Sequence, residues 1–374
     1  MAKGVVIVVG AGIVGAACAD ACARAGYEVT VCEAAGIGGG ATAAGMGHLV
    51  VMDDSEAQFA LTDRSQRLWR TLAPKLPAAA EFASSGTIWV AADAEEMTAV
   101  EQKHAYYGER GIETTILDAA ALAREEPNLR GGLAGGLLVA SDCVVYPPVA
   151  AEFLLERSGA TIKMGEPVVA LGQGEVRFRS GAALQADVIV NAAGMAAGRL
   201  TPGLPIRARK GHLLITDRYP GWVRHQLVEL GYLKSAHSQD GDSVAFNAQP
   251  RPTGQVLIGS SRQFGVTDAA VDRAMLARML RRAEQYMPAL AGLSAIRTWT
   301  GVRAATPDGL PLIGPAREDA TVLVASGHEG LGITTALVTG ELIAAILTGG
   351  ASAIPPEPYL PTRFQETEAY GHHG

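Results

Sequence analysis

Cysteine is scarce in this chain, four residues in 374. Cys18 and Cys22 fall on one helical stretch, Cys32 on a β-rich run, and Cys143 stands alone in Asp142-Cys143-Val144-Val145-Tyr146-Pro147. That spacing matches neither a disulfide framework nor a metal site, so Cys18, Cys22 and Cys32 read as small buried hydrophobes, a usage that fits a reducing cytoplasm. A positive excess is missing too. The formal charge is −7, which argues against nucleic acid as a partner. The apolar N-terminal run is closed by Asp20 and Arg24, short of the roughly 20 residues that span a bilayer. A single leading Lys3 and a glycine-broken middle make Ala19-Asp20-Ala21 a poor secretory cleavage site. Aromatic residues make up 5% beside 48% hydrophobic ones, a soluble globular balance, and the length exceeds one ordinary core, so two domains are expected.

Glycine is abundant, with 45 residues, and its first cluster organises the chain. Val5 to Val9 form a β-branched run, Gly10-Ala11-Gly12-Ile13-Val14-Gly15 opens a helical stretch, and a second β-rich run ends at Glu33. Gly10 permits the tight turn, Gly12 lets backbone approach a pyrophosphate, and Gly15 lets helix and sheet pack closely. A diphosphate then sits on the helix N-terminus, where free N–H groups and the dipole favour anions. Glu33 lies 23 residues after Gly10, near the spacing of about 20 at which a carboxylate reaches a ribose diol. No arginine follows it, which disfavours a 2′-phosphate. From Gly36 to His48 the chain is almost without side chains, suited to closing backbone N–H groups on a planar or anionic ligand.

Apolar spacing and caps predict helices over Asp53–Leu76, Ala94–Glu109, Pro148–Arg157, Asp268–Met287 and Ile333–Leu347, the last interrupted by Glu341, and a short one from Asp118 to Pro127. Strands are predicted at Thr87–Ala91, Leu137–Val145, Asp187–Asn191 and Val322–Ala325, with hairpins over Thr161–Gln185 and a period-two sheet over Ile206–Gly259. The arginines of Asp268–Met287 read as a solvated face, and His372 and His373 as part of a tail rather than ligands.

These pieces resemble the FAD-dependent D-amino-acid oxidase/glycine oxidase superfamily across nearly the whole chain. The resemblance rests on Gly10-x-Gly12-x-x-Gly15 with Glu33, the loop to Gly47, Asn191-Ala192-Ala193-Gly194, Trp299-Thr300-Gly301-Val302-Arg303, Asp308-Gly309-Leu310-Pro311-Leu312-Ile313-Gly314 and Gly327-His328-Glu329-Gly330-Leu331-Gly332-Ile333. Gly45-Met46-Gly47-His48-Leu49, Arg209-Lys210-Gly211-His212 and Gly327-His328-Glu329-Gly330 look most like the bacterial D-hydroxyproline dehydrogenase, opine oxidase and hydrogen cyanide synthase flavin subunits.

The resemblance implies an α/β fold, D-amino-acid oxidase-like, with a Rossmann-like FAD-binding domain over residues 1–82, 147–205 and 297–360. A substrate domain on a mixed or antiparallel sheet takes 83–146 and 206–296, and a tail runs over 361–374. It implies FAD held by Gly10, Gly12, Ile13, Val14, Gly15, Glu33 and Ala34, and by Gly40, Ala41, Thr42, Ala44, Gly45, Met46 and Gly47 of the loop. Val168, Ala192, Ala193, Gly194, Arg303, His328, Glu329, Gly330, Leu331, Gly332, Ile333 and Thr334 complete the set. Arg303 pairs with the substrate carboxylate, while His48 and Tyr232 stand where either could hydrogen-bond the substrate.

The expected reaction is hydride transfer from the substrate Cα to flavin N5, followed by hydrolysis of the imine. No cysteine follows Arg303, so FAD is expected to be non-covalent. The substrate is a D-amino acid, a hydroxyproline-like imino acid or an N-substituted glycine, and the electron acceptor is oxygen, a quinone or a partner protein. The rivals are a flavin subunit of a heteromeric dehydrogenase, a flavin-bearing binding subunit and a plain NAD dehydrogenase. The protein is expected in the cytoplasm, with peripheral attachment at the inner membrane and an oligomeric state left open.

Overall fold

The β-branched run Val5–Val9 (β1) is extended and leads through Gly10 into α1 (Ile13–Arg24) and back in parallel as β2 (Glu28–Glu33). The chain is described here from a computed structural model covering residues 2–231 and 241–364. Alternate side chains of β1 serve two layers: Val6 and Val8 pack with α1, whereas Ile7 and Val9 pack with Val176 and Phe178 on the other face. A strand covered on both faces has to be apolar throughout, as β1 is.

A short helix α2 (Gly40–Ala44), β3 (His48–Leu49) and α3 (Glu56–Leu72) follow. Helix α3 is shorter than the predicted Asp53–Leu76. Its N-cap is Ser55, which accepts from Gln58 N at 3.1 Å; Asp53 instead pairs with Lys103, and Pro74 sits in a 3-10 turn, Ala73–Lys75. Strand β4 (Thr87–Ala91) and helix α4 (Ala94–Glu109) fall where the sequence places them, followed by β5 (Thr115–Asp118) and α5 (Ala119–Glu125).

The single strand expected over Leu137–Val145 is broken into β6 (Gly135–Val139) and β7 (Cys143–Val144). Between them the Asp142 carboxylate turns inward and accepts from Val51 N and Gln66 Nε2. After α6 (Pro147–Ser158), β8 (Thr161–Met164) forms no hairpin but joins β2 in parallel. The antiparallel trio β9 (Val168–Gly172), β10 (Glu175–Phe178) and β11 (Ala183–Gln185) keeps the expected hairpin character.

Next come β12 (Val188–Asn191), α7 (Ala197–Leu200), β13 (Arg207–Arg218), β14 (Gln226–Glu229), β15 (Ser243–Pro250) and β16 (Gln255–Phe264). Helix α8 (Arg273–Tyr286) starts later than predicted because Asp272 is its cap and Asp268 is engaged by Lys210. The chain continues through β17 (Ala295–Ala305), β18 (Leu312–Pro315), β19 (Val322–Ser326) and α9 (Gly332–Thr348).

Six strands form one sheet in the order β18-β19-β12-β1-β2-β8, parallel except for β18, and eight form another in the order β17-β13-β16-β15-β14-β4-β6-β5. The larger sheet is antiparallel apart from the β14–β4 pair. Strand β17, for which the sequence reading predicted no strand, pairs with β13 in the second sheet, from Arg207↔Ala305 to Thr216↔Ala295.

Helix α9 packs on α1 and α3. Gly340 allows this, since a Cβ there would stand 2.5 Å from the Ala17 carbonyl oxygen. By length and composition alone the segment Glu329–Thr348 could cross a membrane, but here it is a core helix, and Glu341 does not interrupt it. Glu341 accepts from Arg64 Nε at 2.9 Å and Nη2 at 2.5 Å. The tail expected from 361 onward is tied down at its start, with Pro361 buried and Arg363 Nε donating to Asp308 at 2.7 Å. His372 and His373 lie outside the described residues.

Candidate active site

A cavity of about 980 Å³ runs between the two large sheets, from the β1–α1 turn to the face of the eight-stranded sheet. At its first end Gly10 has φ +108°, and a Cβ there would lie 2.5 Å from the Ala192 carbonyl oxygen. Glycine is therefore required where β1 and the turn after β12 come together. Helix α1 begins at Gly12 with no side-chain cap, so its positive end faces the cavity.

Glu33 lines the same end and already supports the turn, with Oε2 accepting from Ala11 N and Oε1 from Ala35 N, each at 2.8 Å. Ile13 lines the wall, but its amide is taken by Thr42 Oγ1 at 3.0 Å.

Nearly all the site residues read from the sequence converge on this cavity: Gly10, Gly12, Ile13, Val14, Glu33, Ala34, Gly40, Ala41, Thr42, Ala44, Gly45, Met46, Gly47, His48, Val168, Ala192, Ala193, Gly194, Arg303 and His328 through Ile333. Two cofactor positions do not. Gly15 is absent from the wall because it packs on the turn, where a Cβ would meet the Gly10 oxygen at 2.0 Å. Thr334 faces inward, its hydroxyl donating to the His48 carbonyl at 2.8 Å. Tyr232 lies outside the described residues.

The loop from Gly36 folds more than its composition suggests, into α2. Gly301 on β17 leaves room for the Ala44 side chain, and Gly47 has φ +95° against the Val145 carbonyl.

Arg303 sits on β17 directly opposite Arg209 on β13, and its guanidinium lies over Gly211. A Cβ at Gly211 would come within 2.6 Å of Arg303 Nη2. Nη1 donates to the Ser261 carbonyl at 3.2 Å. Arg209 Nη1 donates to Glu329 Oε2 at 2.8 Å, and the other Glu329 oxygen is buried without a partner.

Burial pushes the His48 imidazole down to about 4 and that of His328 down to about 3, so both are neutral near pH 7. The His328 ring faces α9, with Nε2 2.9 Å from Thr339 Oγ1, and so shapes the turn.

Of the larger sheet the sequence reading named Arg303 on β17 but missed the wall built by its other strands. Trp89, Val228 and Asn247 stand in register across β4, β14 and β15 and line the cavity. Period two signals an inward face on each strand but not which strands are neighbours, so only the quoted Arg209-Lys210-Gly211-His212 stretch could have signalled this wall.

Two helix N-termini without side-chain caps, α1 and α9, open on one cavity, with a carboxylate at the end of β2 and a loop of small residues between them. Such a wall suits an elongated ligand with a diphosphate and a ring that gains negative charge. The family model described as FAD dependent oxidoreductase matches residues 6–346, and the chain belongs to that family. Its cofactor is FAD and its chemistry is oxidation at C–N bonds.

The chain is 28% identical to the hydrogen cyanide synthase subunit HcnC of Pseudomonas aeruginosa, over 77% of this chain and 69% of that protein. It is 26% identical to glycine oxidase of Geobacillus kaustophilus over 96% of each. In fold it is similar to the crystal structure of glycine oxidase from Geobacillus kaustophilus, with a TM-score of 0.86 at 24% identity, covering 98% of this chain and 100% of that one.

Proposed function

We propose that the protein oxidises a small carboxylate-bearing amine to its imine, the substrate being a D-amino acid, a hydroxyproline-like imino acid or an N-substituted glycine. The observation that carries this reading is Arg303, held flat over Gly211 on the cavity wall. A planar guanidinium offers a carboxylate two parallel donors, and the bond to the Ser261 carbonyl orients it before substrate arrives. Residues of the β1–α1 turn and of the turn before α9 would hold FAD, which would supply the hydride acceptor when bound. Apolar Val50, Met52, Val228 and Leu331 exclude water from the wall around the reacting carbon. His48 is neutral and serves as a hydrogen-bonding group rather than a base, since the amine is oxidised in its neutral form.

Arg303→Lys is expected to impair turnover of every active substrate while FAD content and fold stay intact. Arg303→Ala should lower kcat/KM by roughly 3–5 kcal/mol, because a desolvated carboxylate loses its partner. A substrate analogue with the carboxylate replaced by an amide should be poor with the native enzyme and lose little further on mutation. Equal losses on both substrates would show that another residue anchors the carboxylate.

A second reading is a flavin subunit that passes electrons to a partner or a quinone, which would fit a cytoplasmic protein attached at the inner membrane. It is favoured by the similarity to a relative named as a subunit. Substrate-dependent reduction of a dye without oxygen consumption would select it over an oxidase.

A further inference from the structure

The Arg209–Glu329 ion pair is part of the cavity wall, and the role proposed for Arg303 does not call on either residue. Glu329 precedes α9 and adopts φ +51°, a left-handed conformation that is strained for a non-glycine residue. Its side chain is 13% exposed and that of Arg209 17%. A carboxylate is thus fixed, nearly dry, beside the positive end of a 17-residue helix that has no capping side chain and no acid in its first turn. Across the strand pair Arg209 faces Arg303, and two like charges in register repel unless one is neutralised. Arg262 also lines this cavity, while the nearby His328 is uncharged.

We propose that the Arg209–Glu329 pair is a positioning and tuning device that sets the reduction potential of the bound flavin. Glu329 opposes the negative charge that reduction places on the ring, and Arg209 offsets Glu329. Both charges are poorly screened where they lie, so removing either one changes the field at the ring. The pair also ties the turn before α9 to β13, joining the two large sheets where the cofactor and substrate meet. This inference rests on FAD binding in the cavity and not on the identity of the substrate.

The test is dye-coupled reduction of the purified FAD-loaded protein without any amine. Glu329→Gln should make the midpoint potential more positive by about tenfold in the reduction equilibrium, about 30 mV for a two-electron couple. Arg209→Gln should move it by a similar amount in the negative direction, and the charge-keeping Arg209→Lys should leave it near the native value. Should Arg209→Gln lose FAD, Arg209→Lys and Glu329→Gln still decide the matter. Unchanged potentials, shifts of the same sign in the two neutral variants, or an Arg209→Lys shift as large as that of Arg209→Gln would overturn the proposal. Because no substrate takes part, inactivity towards every amino acid tried would leave this result intact.

Discussion

Arg303 can lie along the cavity wall because the residue beneath its guanidinium has no side chain. Gly211→Ala would place a Cβ 2.6 Å from Nη2, and the flexible side chain, not the backbone, would give way. This variant should keep its FAD and its melting temperature while KM for carboxylate substrates rises severalfold, measured by steady-state kinetics. Glu33 combines two tasks, holding the glycine turn through Ala11 N and Ala35 N and standing where a ribose is expected. Glu33→Ala should weaken FAD binding by roughly 1.5–3 kcal/mol, about ten- to a hundredfold by fluorescence titration; unchanged affinity would remove Glu33 from the site. His48 has a folded pKa of about 4 against an ordinary value near 6.5, so between those values the unfolded chain binds the extra proton. Its contribution is therefore present above pH 6.5 and lost as pH falls towards 4. The stability difference between the native protein and His48→Gln should shrink by roughly 3 kcal/mol over that window in denaturant titrations.

At the scale of elements, the close approach of α1 and α9 brings two helix N-termini to one cavity. Gly340→Val would drive a side chain into the Ala17 carbonyl and should destabilise the protein by about 1–3 kcal/mol in urea unfolding. The element types were legible where local chemistry decides them. The apolar run of β1 and the cap of α5 marked those elements, and Thr87–Ala91 and Ala94–Glu109 appear with the expected ends. The misreadings share one cause, a long-range partner. Asp142 breaks a strand because Val51 and Gln66 take its carboxylate, and β8 leaves its hairpin to extend the sheet beside β2; of the caps read for α3, Ser55 is the one used while Asp53 pairs with Lys103, and Asp268, where α8 was expected to begin, pairs with Lys210.

For the whole molecule, the cavity wall is shared by the two sheets, so FAD should act as a brace between them. Adding FAD to apoprotein at a hundredfold excess over Kd should raise stability by about 2.7 kcal/mol, seen as a higher melting temperature. Acid precipitation should release intact FAD into the supernatant, and yellow colour retained in the pellet would contradict non-covalent binding. The sequence alone determined the dinucleotide turn, its carboxylate and the small-residue loop, because each is a local pattern whose spacing carries its geometry, whereas Arg303 was marked by the family resemblance. Tertiary structure alone decided that β17 belongs to the larger sheet, that Gly211 underlies Arg303, and that Arg209 meets Glu329 across 120 residues of chain. Strand order and register follow from which faces bury together, and side-chain periodicity within one segment holds no record of its neighbour.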